Sequence, residues 1–194
     1  KYLDFSNAIM NDMNASSINI IEAVQSGLEH HQLKNSWNRW ETLCTFMGIL
    51  ELGNIINDAD LLEVSMKLFY NILKNEIHNT GGYSTNESSV GSPYRQGSIE
   101  TCAVVSFNAF AYDVLRATGD PAIADFLEIS LYNAVMGAFS PSGRWSTYDT
   151  PMSGEKLASY HQIGSHHSRA GSPDMNCCSV NAPRCVGMVA EWAV

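Results

Sequence analysis

The chain has 194 residues, of which 45% are hydrophobic and 16% are charged, a balance typical of a globular domain. The formal net charge is -9 and the 11 basic residues are scattered, which argues against nucleic-acid binding and favours an uncharged or weakly polar substrate. No segment reaches the roughly eighteen apolar residues that a transmembrane helix needs, so a membrane partner is not expected either.

The two ends of the sequence indicate a piece of a longer protein. The chain starts at Lys1 instead of an initiator Met, without the basic and apolar regions of a signal peptide. Its last fifteen residues, VNAPRCVGMVAEWAV, have the pattern of a helix without a terminating Gly or Pro. We therefore expect residues 1–194 to form a single but partial domain.

Apolar residues recur at three- and four-residue steps in several stretches, which predicts an all-α fold. The predicted helices cover residues 37–56, 61–77, 100–117 and 122–139. Asn57 and Asp58 separate the first two, and a polar turn ending in Pro121 separates the last two. Proline suits the first turn of a helix. The order helix, short polar turn, helix predicts an array of helical hairpins.

Two long segments rich in Gly, Ser and Asn, residues 78–98 and 140–175, interrupt this pattern and are predicted to be loops. Short hairpins are predicted within the second loop at 145–148 and 159–163. Loops of this length in a compact domain are usually functional or disordered. Because each loop leads into a cysteine-bearing segment, we expect a functional role.

The five cysteines are an odd number without the spacing of a disulfide scaffold, which favours free thiols or metal ligands. Glu100, Cys102, Cys177 and Cys178 offer one carboxylate and three thiolates, a plausible four-coordinate set for Zn²⁺. Spacing alone does not make this a standard zinc motif. From spacing alone, the simpler interpretation is that Cys102 and Cys177 are small buried hydrophobic residues.

Four short motifs occur in a characteristic order along the chain. They are Thr80-Gly81-Gly82, a following Glu87, Glu100-Thr101-Cys102-Ala103, and the Cys-Cys-x-x-Asn-x-x-Arg segment of residues 177–184. In this order and at these separations the chain resembles the beta-L-arabinofuranosidase family of glycoside hydrolases (family 127). The resemblance extends from about Trp40 to the C-terminus and implies that the helical hairpins are part of an (α/α)6 barrel.

The same resemblance implies residue roles at one site. Cys177 corresponds to a nucleophile that attacks the anomeric carbon, with net retention of configuration. Glu100, Cys102 and Cys178 correspond to zinc ligands, and Cys177 to the fourth. The implied reaction is cleavage of a terminal arabinofuranoside or a related plant sugar, so a carbohydrate is the expected substrate.

Glu87 corresponds to the general acid/base of the family. From the loop alone, a solvated carboxylate is the simpler interpretation. Tyr148, in Tyr-Asp-Thr-Pro-Met, resembles the family's sugar-facing Tyr-x-Asn-Pro segment, although Thr150 replaces the Asn. A half-buried loop tyrosine is the alternative for Tyr148.

Three further positions bear on sugar binding. His166 is the best candidate among the six histidines, and we expect the other five to lie on the surface. Part of the family carries His-Ala-x-Arg where this chain has Asn38-Arg39-Trp40-Glu41, so a sugar-contacting His is replaced, with Glu41 the candidate substitute. Trp40 fits either a sugar-stacking ring or, more simply, a core aromatic residue.

Two other functions remain compatible with the residues. One is a non-catalytic helical protein in which the cysteines hold a structural zinc, since four protein ligands close such a site. The other is a thiol-dependent acyl transferase or protease that pairs Cys177 or Cys178 with His166. A partial barrel leaves apolar helix faces uncovered, which predicts a homodimer or association with the remaining barrel helices.

Overall fold

The computed structural model describes residues 1–16, 19–33, 39–83, 88–159 and 176–192, and most of them are helical. The helices are α1 (Tyr2–Ala15), α2 (Ile20–Gln25), α3 (Arg39–Ile56), α4 (Ala59–Asn75), α5 (Thr101–Thr118), α6 (Pro121–Ile129) and α7 (Cys177–Trp192). A 3-10 turn spans His30–Gln32, and a π-helix, Ser130–Val135, continues α6. Two short strands, β1 (Ser98–Glu100) and β2 (Asp149–Pro151), form the one sheet within the described residues. The predicted all-α class is confirmed.

The predicted hairpins form because their turns carry strong stop and start signals. At the α3–α4 turn, Asn57 has a positive φ of 55° and the Asp58 carboxylate accepts hydrogen bonds from the backbone of Asp60 and Leu61. At the α5–α6 turn, Gly119 takes a φ of 67° and Pro121 occupies the first turn of α6. These caps confirm both predicted turns.

Two sequence predictions hold only in part, and a third concerns residues that the structure does not describe. The helix predicted for 122–139 changes to a π-helix at Ser130. The hairpin predicted for 145–148 is present only as an isolated antiparallel bridge between Phe139 and Ser146, and the strand that follows it, β2, pairs with the distant β1. The hairpin predicted for 159–163 lies almost wholly outside the described residues. Strand pairing over such a distance leaves no local signal in the sequence.

Helix α5 is the centre of the core and packs against α3, α6 and α7. On one side, Phe107 stacks on Phe69 with ring centroids 5.1 Å apart and meets Phe126 edge-on at 5.2 Å. On the other side, Val104 and Val105 join a second buried cluster that includes Cys185 of α7. This packing places the N-termini of α5 and α7 next to each other. No described helix is long and apolar enough to span a bilayer.

Candidate metal and active site

The N-terminus of α5 is fixed by the two-stranded sheet. Glu100 ends β1, caps α5 and pairs with Asp149 of β2. The Thr101 backbone N–H donates to the Tyr148 carbonyl at 2.9 Å, and its hydroxyl donates to the Thr147 carbonyl at 2.8 Å. These bonds hold the Tyr148 backbone beside the first turn of α5, which carries Cys102.

The N-terminus of α7 is fixed by Asn176. The Asn176 side-chain oxygen accepts from the Ser179 backbone N–H at 3.0 Å, and the Ser179 hydroxyl accepts from the Asn176 backbone N–H at 3.0 Å. This reciprocal cap starts the helix at Cys177, so both vicinal cysteines lie in its first turn. A helix N-terminus carries partial positive charge, which favours a thiolate there.

The two helix N-termini bring three sulfur atoms and a carboxylate together. The Sγ of Cys178 lies 3.0 Å from that of Cys102, 4.0 Å from that of Cys177 and 3.9 Å from Glu100 Oε1. The three sulfur atoms all lie within 4.8 Å of one another. Cys178, Cys102 and Glu100 are buried, whereas Cys177 is exposed. The cluster Cys102, Cys177 and Cys178 could hold a metal ion, and thiolate ligands favour soft ions such as zinc.

Hydrogen bonding within the cluster favours the thiolate form of Cys177. Hydrogen bonds from the thiols of Cys102 and Cys178, with a smaller contribution from Tyr148, hold the pKa of Cys177 well below its usual range. The pKa of Cys102 is raised chiefly because its thiol donates to Cys177. Burial is the main cause that raises the pKa of Cys178. The exposed sulfur is thus the most acidic of the three.

A cleft of about 340 Å³ opens beside this cluster. Its lining residues are Trp40, Glu41, Glu100, Cys102, Tyr148, Cys177 and Asn181. Of the predicted site residues, Glu41 and Tyr148 therefore share one cavity with Glu100, Cys102 and Cys177, and buried Cys178 lies directly behind. Trp40 is half-buried in the cleft wall instead of filling the core.

The structure does not test two of the predicted site residues. Glu87 and His166 lie outside the described residues, as do His161 and His167. The prediction that His30 lies on the surface is wrong, because its side chain is buried and hydrogen-bonded to the Tyr83 hydroxyl.

Asn181 is a site residue that was not predicted from the sequence. Its side-chain nitrogen lies 3.4 Å from Cys102 Sγ and donates to the Cys177 carbonyl at 3.0 Å. Its side-chain oxygen accepts from Arg184 Nη1 at 3.4 Å. The helical spacing of the sequence could have indicated this residue, since Asn181 follows Cys177 by one helical turn and Arg184 follows Asn181 by nearly another.

The Thr80-Gly81-Gly82 motif packs against β1, the strand that ends at Glu100 of the site. The Gly81 carbonyl accepts from the Ser130 hydroxyl at 2.8 Å, and Gly81 has a φ of 75°. A Cβ on Gly81 would lie 2.4 Å from the Ser130 Cα, and one on Gly82 would lie 2.7 Å from Ile99 Cδ1. The motif therefore allows the turn to lie directly against β1 and the π-helix.

Comparison with known proteins identifies the family of the chain. The family described as "Beta-L-arabinofuranosidase, GH127 catalytic domain" matches residues 1–191. A curated non-reducing end beta-L-arabinofuranosidase from Bifidobacterium longum is 26% identical over 160 residues, covering 77% of this chain and 24% of that protein. The chain thus spans about a quarter of the length of this relative.

Solved structures show the same fold. A GH127 beta-arabinofuranosidase superposes with a TM-score of 0.70 at 21% identity, covering 98% of this chain and 30% of its own. A GH127 beta-L-arabinofuranosidase from Geobacillus stearothermophilus T6 superposes with a TM-score of 0.68 at 18% identity, covering 97% and 34%. The predicted (α/α)6-barrel architecture, present here in part, is confirmed. Since the family match extends over nearly the whole sequence, this chain belongs to the beta-L-arabinofuranosidase family of glycoside hydrolases, GH127.

Proposed function

We propose that residues 1–194 form a single, partial catalytic domain of a retaining glycoside hydrolase that releases a terminal arabinofuranose or related plant sugar. The observation that carries the proposal is the exposed sulfur of Cys177 in the cleft wall, with two buried sulfurs behind it. The relatives are named as beta-L-arabinofuranosidases, which supports arabinofuranose as the sugar.

Zinc is the metal we propose for the sulfur cluster, held by Glu100, Cys102, Cys178 and Cys177. Zn–S bonds of about 2.3 Å in a tetrahedral site imply sulfur–sulfur separations of about 3.8 Å. The separations of 3.0 and 4.0 Å around Cys178 lie on either side of that value. The donor set of three thiols and one carboxylate also fits zinc. When bound, the ion would keep the thiols deprotonated and fix the direction of the nucleophile.

In the proposed reaction the Cys177 thiolate attacks the anomeric carbon, and the glycosidic carbon–oxygen bond breaks. Glu87 donates its proton to the leaving oxygen, which yields a thioglycosyl intermediate on Cys177. The Glu87 carboxylate then takes a proton from water, whose oxygen attacks the same carbon as the carbon–sulfur bond breaks. Two inversions at one carbon give net retention.

The cleft residues have proposed roles in binding the sugar. Tyr148 lies close enough to hydrogen-bond the Cys177 sulfur and lowers the pKa of that thiol, which supports a role for its hydroxyl in contacting both the thiolate and the sugar. Glu41, exposed in the first turn of α3, supplies an acceptor for sugar hydroxyls, and the neighbouring Trp40 ring offers a stacking surface. We also retain His166 as a proposed sugar contact.

The exposure of Cys177 favours this function over a purely structural zinc site. A structural site encloses all four ligands, whereas here one sulfur faces an open cleft. A structural zinc site also gives Glu87 no role. If the cysteines held only a structural zinc, substitution of Glu87 would not change any reaction.

The test is covalent trapping with an activated aryl arabinofuranoside. We expect the Glu87→Gln chain to release the aryl alcohol and to accumulate one pentosyl group on the peptide that contains Cys177, seen by mass spectrometry. Cys177→Ser should lower turnover by on the order of 10³-fold or more and show no adduct, while Cys44→Ser serves as the thiol control. An adduct on another residue, or unchanged turnover in Cys177→Ser, would refute the proposed nucleophile.

A further inference from the structure

Asn181 of α7 lines the cleft, yet the hydrogens of its side-chain amide are directed at the sulfur cluster. The nitrogen Nδ2 lies 3.4 Å from Cys102 Sγ and donates to the Cys177 carbonyl at 3.0 Å. An amide nitrogen carries two hydrogens, so these two acceptors use both of them. The donors of Asn181 are therefore committed to the cluster and not to a ligand in the cleft. The reaction proposed above gives Asn181 no part.

Arg184 determines which end of that amide faces the sulfur. Its Nη1 donates to Asn181 Oδ1 at 3.4 Å. A guanidinium has only donors, so it attracts the oxygen end of the amide and turns the nitrogen end toward Cys102. An N–H group, and not a carbonyl oxygen, thus lies against one of the sulfurs that we propose as ligands.

The first turn of α7 depends on bonds beyond its own backbone ladder. Pro183 lies inside this helix, and proline has no backbone N–H, so one of the hydrogen bonds that join successive turns is missing. The side-chain bond from Asn181 to the Cys177 carbonyl adds a further link between the same turns. Asn181 thus helps to fix the stretch of backbone that carries Cys177 and Cys178.

The second contact of Asn181 acts on a buried sulfur. A metal-bound thiolate keeps negative charge on sulfur, and an N–H group that faces it stabilises that charge. Cys102 is 2% exposed, so little water can take the place of the Asn181 donor. Groups that hydrogen-bond to metal ligands also fix the direction of those ligands, and their loss typically weakens metal binding about 10- to 100-fold.

We propose that Asn181 is a positioning residue of the metal site, which holds the Cys177 backbone in place and hydrogen-bonds the Cys102 sulfur. Arg184 acts through Asn181 by orienting its amide. The inference rests on the zinc site proposed above, whose ligands include both cysteines. Neither Asn181 nor Arg184 is itself one of those ligands.

The first experiment measures zinc affinity by competition with a chromophoric chelator. Asn133→Leu is the matched control for Asn181→Leu, because the Asn133 amide also donates to a carbonyl four residues earlier, that of Ile129, at 2.8 Å. Asn133 lies in the π-helix and does not line the cleft. We expect Asn181→Leu to weaken zinc binding about 10- to 100-fold and Asn133→Leu to leave it unchanged.

Cobalt(II) in place of zinc supplies a readout that a general loss of stability does not move. The charge-transfer band of a cobalt thiolate arises when an electron passes from sulfur to the metal, and an N–H donor on sulfur lowers the energy of that electron. At saturating cobalt, Asn181→Leu should therefore shift the band to longer wavelength, whereas Asn133→Leu should keep the original spectrum.

Arg184→Met keeps the test valid if Asn181→Leu does not fold. The Arg184 side chain is exposed, and its removal leaves the amide in place without the donor that orients it. Zinc affinity and the cobalt band should change in the same directions as in Asn181→Leu, but by less. An original affinity and an original spectrum in Arg184→Met would exclude the orienting role.

The outcomes separate this inference from the proposed metal site. If the original chain binds zinc, and Asn181→Leu binds it as tightly with an unshifted cobalt band, the positioning role is wrong and the proposed site stands. An equal loss of affinity in Asn133→Leu would also exclude the positioning role, because weaker helices would explain both results. If the original chain binds neither zinc nor cobalt, the proposed metal site is wrong, and the positioning role is wrong with it.

Discussion

At the residue scale, the exposed thiol of Cys177 differs from the other exposed thiol of the described chain, Cys44. Hydrogen bonds from Cys102 and Cys178 lower the pKa of Cys177, whereas burial raises the pKa of Cys44. Thiolates and not thiols react with alkylating reagents. In the chelator-treated protein at pH 6, iodoacetamide should therefore modify Cys177 first, and Cys44 should follow only as the pH rises.

Peptide mapping by mass spectrometry at several pH values measures this order. The Asn181→Leu variant should slow the reaction of Cys177, because the Asn181 amide contacts both the cluster and the Cys177 carbonyl. Equal rates for the two thiols at pH 6 would show that the cluster does not acidify Cys177.

The sequence predicted this cluster only through the order of its motifs. Periodicity places Glu100 and Cys102 at a helix start but says nothing of Cys178, 76 residues away from Cys102. Convergence of the sulfurs depends on α5 packing against α7, a tertiary contact without a local signal. Asn181 was not predicted because an uncharged amide is neither a nucleophile nor a typical zinc ligand. Burial of His30 was not predicted because it depends on contacts with the distant Tyr83 and Glu76.

At the scale of elements, the cap of α7 positions two of the proposed ligands. Asn176→Ala removes the acceptor of the Ser179 N–H and should lower the free energy of unfolding by about 1 kcal/mol. Since Cys177 and Cys178 lie in the first turn, fraying there should also weaken zinc binding. Competition with a chromophoric chelator measures the affinity.

Asn176→Asp is the matched control for that change. It keeps the accepting oxygen and loses only a side-chain nitrogen that has no hydrogen-bond partner among the described residues. Its stability and zinc affinity should stay close to those of the original chain. If Asn176→Ala binds zinc as tightly as Asn176→Asp does, the cap does not position the cysteines.

The turn at Gly81 gives a second prediction for an element. Gly81→Ala should lower the free energy of unfolding by at least about 2 kcal/mol, because the added Cβ would lie 2.4 Å from the Ser130 Cα at a positive φ. Gly119→Ala shares the positive φ but has nothing within 4 Å, so it should lose only about 1 kcal/mol. Urea unfolding of both variants measures the difference, and equal losses would mean that the close approach carries no cost.

The elements that the sequence predicted are those with both a buried stripe and a cap. Helices α3 to α6 have such patterns, and their turns at Asp58 and Pro121 lie where predicted. Helix α1 was not predicted; none of its residues is buried, although Met10 and Met13 pack against the core. The π-helix at Ser130 reflects tertiary contacts with Gly81 and Asn108, which local propensity does not encode.

At the scale of the whole molecule, the chain is a partial barrel with uncovered apolar side chains. Tyr2 and Phe5 of α1 are 84% and 66% exposed. A homodimer, or association with the remaining barrel helices, would cover such apolar side chains, and it stays a prediction. The sulfur cluster of the proposed active site, by contrast, comes from α5 and α7 alone, so every ligand that we propose for the metal lies within this chain.

Elemental analysis tests whether Glu100, Cys102, Cys177 and Cys178 converge on one metal ion, as we propose. Protein purified under reducing conditions without chelators should contain about one zinc per chain by plasma mass spectrometry. Cys102→Ser should lose the metal, while Cys44→Ser, whose thiol lies outside the cluster, should retain it. Absence of zinc from the original chain, or full retention in Cys102→Ser, would show that these four residues do not form a zinc site.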